Sequence, residues 1–268
     1  MILLKGGMMN LPEIIYHKSA PLLTISLDRP DIKNAFTLTM MDSLYQAFLS
    51  AKHDHDIKVI ILTGSGGAFC SGGNIKDMAD GKLVSWDMKH YLWDHIQRIP
   101  LLLEDIDKPV IAAIDGPAYG GGFDLALACD LRMVSERSTF CSTFVRIGLA
   151  PGDGGAYFLP RLVGLSRALD ILLTGRIIKM DEALKLGLVH RVIAQENFTQ
   201  EVESYAMEIA KWPAGAIQAI KRAVYHGLKS DLRGHLDYIS SQLALLSETE
   251  EHQEAIKDLA SRNKKNQK

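Results

Sequence analysis

Two short apolar runs in this chain do not alternate. Lys58-Val59-Ile60-Ile61-Leu62-Thr63 and Val110-Ile111-Ala112-Ala113-Ile114 place apolar side chains at successive positions, so neither turns one face to water. Strands of that kind belong inside a sheet covered on both sides. Each run ends in glycine, in Gly64-Ser65-Gly66-Gly67 and in Asp115-Gly116-Pro117. Leu22-Leu23-Thr24-Ile25-Ser26-Leu27, halted by Asp28-Arg29-Pro30, reads as an earlier strand, and Leu131-Arg132-Met133-Val134 as a later one. Between them, Thr39 is the predicted cap of a helix to Lys52, with Met41, Leu44, Tyr45 and Phe48 at helical spacing. Phe123 to Cys129 reads as a buried helix. Strand, glycine turn, helix and strand in this order predict a parallel α/β core.

The last third is different. Glu196 to Lys211, Ala214 to Leu228 and Leu232 to about Arg262 read as helices, with Trp212-Pro213 separating the first two. The expected division is a disordered leader at 1–11, an α/β core at 12–195 and a helical subdomain at 196–268. Over 268 residues the net charge is −2, which argues against nucleic acid as a partner. Cys70, Cys129 and Cys141 are the only cysteines, too scattered for a disulfide framework or a zinc site. That usage fits a reducing, cytoplasmic setting. No apolar run reaches the roughly 18–20 residues of a membrane span.

Two glycine-rich loops carry the chemistry. Ala68-Phe69-Cys70-Ser71-Gly72-Gly73-Asn74-Ile75-Lys76-Asp77-Met78 and Gly116-Pro117-Ala118-Tyr119-Gly120-Gly121-Gly122-Phe123-Asp124-Leu125 each follow a buried strand and lead into a helical pattern. A helix start leaves N–H groups unpaired. Two such loops facing each other offer two amide donors to one oxygen, an oxyanion hole for charge developing on a carbonyl. The simpler reading is a pair of tight turns. Neither loop has the Gly-x-Gly-x-x-Gly spacing of a dinucleotide fold, and no nucleotide phosphate loop is present. A nicotinamide-linked oxidoreductase is therefore the weaker alternative.

In their order, Arg29-Pro30 with Asn34-Ala35, the loop from Phe69 to Met78, Lys108-Pro109-Val110-Ile111-Ala112-Ala113, Gly120-Gly121-Gly122, Asp130, Leu173-Thr174-Gly175, Ala183-Leu184 and Gly187-Leu188-Val189 resemble the enoyl-CoA hydratase/isomerase (crotonase) superfamily. The resemblance runs from about Ile14 to Ala223. It implies an α/β, crotonase-like spiral of ββα units with a C-terminal helical trimerisation subdomain, assembled as a trimer or a hexamer. It also implies an acyl-CoA thioester as substrate, with no cofactor besides the coenzyme A that the substrate carries. The thioester oxygen then falls to the amides of Gly73 and Gly121. Ser71, Gly73, Asn74, Ile75 and Lys76 fall along the adenine–ribose part of coenzyme A.

An acid or base is still required. The first family glutamate maps onto Asp124, an aspartate as in the dienoyl-CoA isomerases. The second maps onto Phe144, and a phenyl ring moves no proton. Asp153, in Pro151-Gly152-Asp153-Gly154-Gly155, matches a turn at the acyl end where dienoyl-CoA isomerases and 4-chlorobenzoyl-CoA dehalogenases carry a functional aspartate. It stands as second acid/base, as nucleophile, or as the cap of a helix beginning near Gly155.

Other groups rank lower. His53-Asp54-His55-Asp56 has the look of a metal cluster but reads as solvated. Asp87, His90, Asp94 and His95 lie on an amphipathic segment that the resemblance makes a wall of the acyl pocket. Cys129 and Cys141 read as inert. Arg161 and Lys221-Arg222 meet phosphates or a neighbouring subunit, or are surface charge. The expected activity is hydration or double-bond isomerisation of an acyl-CoA, with protons moved by Asp124, alone or with Asp153, and Phe144 favours isomerisation or an atypical hydration over ordinary hydration. The alternatives are a non-catalytic acyl-CoA-binding homologue and a hydrolase- or dehalogenase-like activity using Asp153.

Overall fold

The computed structural model of the chain describes residues 11–74 and 85–265. Residues 1–10 of the expected leader lie outside them. A six-stranded sheet forms the centre, built from β1 (Ile14–Ser19), β2 (Leu22–Leu27), β3 (Val59–Gly64), β4 (Val110–Ile114), β6 (Leu131–Ser135) and β9 (Arg191–Ile193), side by side in that order. The β1–β2 pair is antiparallel, and every later pairing is parallel. A second sheet of β5 (Pro117–Tyr119), β7 (Thr139–Cys141) and β8 (Ile178–Lys179) lies between β5 and β8 on the central β7. Successive strands thus feed the two sheets in turn: β4 then β5, β6 then β7. This is the repeated ββα path of the crotonase spiral.

The non-alternating strands are covered on both faces. Ile60, Leu62, Val110, Ala112 and Ile114 point into the larger core with α1 (Leu38–His53), α3 (Arg98–Asp105) and α4 (Gly121–Ala128). Val59, Ile61, Ile111 and Ala113 point the other way and meet Phe198, Val202, Ala206 and Ala210 of α8 (Phe198–Ala210). Between α1 and α3 runs α2 (Ser85–Tyr91). After α4 come α5 (Gly155–Val163), α6 (Leu165–Thr174) and α7 (Met180–Lys185). The first helix starts one cap earlier than the sequence suggests. Thr37, in extended backbone, accepts from Met40 N at 3.0 Å, which leaves Thr39 inside the helix.

The C-terminal helices follow as α9 (Ala214–Gly227), α10 (Leu232–Ser247) and α11 (Glu250–Lys265). The last two were expected as one helix. They separate at Thr249, whose hydroxyl accepts from His252 N at 3.3 Å and donates to Leu246 O at 2.7 Å. No described helix is long and apolar enough to cross a membrane.

Lys221 corrects an expectation of surface charge. On α9 it turns inward, donating to Asp130 Oδ2 (2.7 Å), Lys108 O (3.0 Å) and Leu103 O (3.2 Å). Tyr225 donates to the other oxygen of Asp130 at 2.8 Å, and Val110 N donates to Oδ2 at 2.7 Å. One buried ion pair thus fastens the helical region to the mouth of β4. Arg161 stacks over the Tyr157 ring, 3.5 Å from its centroid. Removing one member of a buried pair strands the other, so Lys221→Met is expected to lower unfolding free energy by about 3 kcal/mol, measured by urea denaturation.

Candidate functional site

Asn34 organises the first glycine loop. Fully buried and with φ of 55°, it accepts from Arg29 N (2.8 Å) through Oδ1 and donates from Nδ2 to Ser65 O (3.0 Å) and Ala68 O (2.9 Å). The return from β3 is thereby closed around one amide side chain. The Cys70 thiol donates to Asn34 O (2.9 Å) and accepts from Gly72 N (3.3 Å). Burial pushes this thiol up to about 12, so it is an inert strut. Ser71 turns its hydroxyl to Ile32 O at 3.2 Å.

The two loops meet. Cys70 bridges Ala118, and Tyr119 N donates to Cys70 O at 2.9 Å. Gly72 has a φ of 83°, and a β-carbon there would stand 2.7 Å from Gly121 N, a space that only glycine leaves open. Gly73 is paired with Phe36 through a single bridge, with Phe36 N donating to Gly72 O at 2.7 Å. Gly121 is the first residue of α4, where a helix leaves its N–H without an internal acceptor.

Behind the loops stand two carboxylates at different depths. Asp124 is fully buried on α4. Its Oδ2 accepts from Gly155 N at 2.9 Å, while Oδ1 has no hydrogen-bond partner among the described residues. Burial, then the charge of Asp153, push its pKa up to about 8, against the pull of the Gly155 and Asp153 backbone N–H groups. Asp153 is raised by burial to about 6. Asp153 reaches over Gly121 and Asp124 over Gly155 so closely that a β-carbon on either glycine would overlap the carboxylate.

The expected capping role of Asp153 is overturned. Helix α5 begins with Gly154 as its cap and no capping bond from that residue or from Asp153. The first N–H of α5 goes instead to Asp124, from 31 residues earlier in the chain. Asp153 is left to face a cavity of about 90 Å³. Around it are Phe36, Gly73, Leu92, Ile96, Phe144 and Leu149, with Asp153 the one carboxylate among the described lining residues. Phe144 heads the short turn Phe144–Ile147 and faces this cavity. Asp124 lies behind the wall. Asn74 borders the first loop at intermediate exposure, and Ile75 and Lys76 lie outside the described residues.

The charged face of the wall helix is not the face that lines the cavity. Met88, Tyr91, Leu92 and Ile96 line it, at helical spacing that hints at a common face. His90 pairs instead with Asp94 at 3.3 Å, and His95 stands 3.5 Å from Asp42. Near the former metal candidate, Lys18 holds Asp54 and Asp56 at 2.7 and 2.9 Å. Among the described residues there is no metal-ligating cluster of three. A larger apolar cavity of about 660 Å³, along α9, contains neither aspartate.

Known proteins resemble this chain over most of its length. The family model described as enoyl-CoA hydratase/isomerase matches residues 17–267. A probable enoyl-CoA hydratase of Rhodobacter capsulatus is 34% identical, over 85% of this chain and 87% of that protein. The 4-chlorobenzoyl coenzyme A dehalogenase-2 of an Arthrobacter species is 33% identical, over 78% of this chain and 76% of its own. The crystal structure of an enoyl-CoA hydratase from Bacillus anthracis superposes with a TM-score of 0.89 at 29% identity, covering 93% of this chain and 96% of that one. Two glycine loops in contact, an apolar cavity beside them and similarity along the whole core lead to one conclusion: the chain belongs to the enoyl-CoA hydratase/isomerase family of acyl-CoA enzymes.

Proposed function

We propose that the chain moves a proton on an acyl-CoA thioester, shifting a carbon–carbon double bond, with Asp153 as the base that meets the substrate. The observation that carries this reading is the Asp153 carboxylate on the wall of an apolar cavity that also includes Gly73, directly above Gly121. The amides of Gly73 and Gly121 take the thioester oxygen. Asp153 removes a proton from a carbon conjugated with the thioester, the electron pair moves into the carbonyl, and the enolate oxygen rests on the two N–H groups. The same proton then returns from the Asp153 carboxyl to the far end of the conjugated system. Each oxyanion donor is worth about 3 kcal/mol of transition-state stabilisation.

Asp124 enters from behind. As a neutral carboxyl it keeps a second negative charge out of the site, so Asp153 ionises without a like charge beside it. Its bond to Gly155 N fixes the start of α5, next to Asp153. Phe144 supports isomerisation over hydration, because hydration needs a second group to hold water and the phenyl ring offers none.

Asp153→Asn is expected to slow deuterium wash-in at the acyl carbons by at least about 100-fold while coenzyme A ester binding persists. Unchanged exchange in that variant overturns the reading. Tight binding without exchange in the wild type establishes the non-catalytic alternative. An acyl ester trapped on Asp153 establishes the nucleophilic one, the alternative for which the dehalogenase relative speaks.

The two carboxyls also set the pH dependence. Asp153 must be ionised, so kcat/KM falls as pH drops through about 6, and Asp124 must be neutral, so it falls again as pH rises through about 8. Steady-state rates against pH are expected to trace that bell. Asp124→Asn is expected to abolish its alkaline limb and leave the acid one.

Self-association belongs to the same proposal. Ile220 and Val224 on α9 and Leu228 just after it are each more than 60% exposed and border the larger cavity, a patch of the kind that marks subunit contacts. Sedimentation is expected to give three or six times the 29.6 kDa chain mass.

A further inference from the structure

The wall of the acyl cavity contains an irregular turn. After α2 the chain passes through a wide, π-type turn at Leu92–Ile96 before α3 begins. The closing bond runs from Gln97 N to Leu92 O at 2.7 Å, one residue beyond the ordinary helical acceptor. An extra residue re-phases the following helix by about 100°. Turns of this type cost helix regularity, and they recur at functional sites.

Gln97 uses both of its donors here. While its backbone N–H closes the wide turn, its side-chain Nε2 donates to Gly152 O at 2.8 Å, 55 residues away in the chain. Leu92, at the other end of the same turn, packs on Gly152 as well, where a β-carbon would sit 3.4 Å from a Leu92 methyl. The carbonyl of Gly152 belongs to the peptide group whose N–H is that of Asp153. Holding that oxygen therefore sets the plane from which the Asp153 side chain departs. The same turn supplies Leu92 and Ile96 to the cavity, so a group pressing on the wall presses on the support of the carboxylate.

We propose that Gln97 is a positioning residue which orients Asp153 and couples its placement to the acyl group seated against Leu92 and Ile96. The inference rests on the reading of Asp153 as the base. Compact apolar acyl groups that fill the wall without displacing the turn are then the best substrates. A long or rigid group that pushes Leu92 outward turns over slowly even when it binds. Acyl preference is thus expressed in kcat as well as in KM.

The test uses full-length Gln97→Leu, which keeps the bulk and removes the donor, and Gln97→Glu, which keeps the length and offers only acceptors at neutral pH. Deuterium exchange into butyryl-, hexanoyl- and octanoyl-CoA is measured over pH 4–9, alongside thermal unfolding. Both variants are expected to lose ten-fold or more in kcat with KM within three-fold. The ratio of kcat between the best and worst esters is expected to shrink toward one. The acid limb is expected to move to lower pH, because a carboxylate freed from its turn reaches water. Unchanged kcat and acid limb overturn the inference. So does an equal loss on every ester with an unmoved acid limb, which is a purely structural effect, and so does failure of both variants to fold. Asp153→Asn, run in parallel, separates the two levels. If it abolishes exchange while Gln97→Leu behaves as wild type, only the Gln97 inference falls; if it leaves exchange intact, the reading of Asp153 falls and takes this inference with it.

Discussion

A carboxyl group removed from water either gives up its charge or finds donors for it, and the donors offered to Asp124 fall short of its burial. The Gly155 N–H satisfies Oδ2, while Oδ1 is left with nothing among the described residues. The backbone N–H groups of Gly155 and Asp153 do not offset full burial, so the neutral form wins near neutrality. Much else follows from that imbalance. A neutral Asp124 tolerates an ionised Asp153 close by, helix α5 starts where its first N–H finds an acceptor, and the turn preceding α5 directs Asp153 to the cavity. Both glycines beneath the carboxylates are required for such close approach.

The amide side of the site is built by the opposite means. Asn34 bonds through both its amide oxygen and its amide nitrogen, tying Arg29 to the first loop, and Cys70 joins that loop to the strand that leads into α4. Fully satisfied polar groups in a buried loop leave little freedom. The proposed pair of N–H groups at Gly73 and Gly121 would need that rigidity, since an oxyanion hole stabilises charge only when its donors are already in place. Satisfied bonds hold the donors still. An unsatisfied carboxyl, Asp124, stays neutral behind them.

Much of this was legible in the chain, and the failures have a common cause. Strands β3 and β4 were recognisable because both of their faces are apolar, a pattern that needs no knowledge of what packs on them. The glycine loops and both aspartates were recognisable by spacing and by family resemblance. Their depth was not. Local rules make an aspartate two residues before a helix its cap, but the N–H of Gly155 went to Asp124, and Asp153 was released to the cavity. Lys221 looked like surface charge because nothing near it in sequence shows that Asp130 waits across the fold. Gln97 left no mark at all: its partner is a backbone carbonyl 55 residues away, and an irregular turn has no periodicity to find. Position along the chain was readable. Partnership across it was not.

The same distinction bears on which reaction this family member favours. A hydratase site has to hold a water molecule between two proton-transferring groups, and it must offer that water hydrogen bonds in a small space. Here Phe144, Leu92, Ile96 and Leu149 surround a single described carboxylate. An apolar cavity of about 90 Å³ gives an ordered water too few partners to repay its confinement. In the proposed reading, a proton taken by Asp153 then has nowhere better to go than back to the substrate. On that reading, exclusion of water favours return of the proton at a different carbon over addition of hydroxyl, and Phe144 alters the outcome through what it keeps out of the cavity.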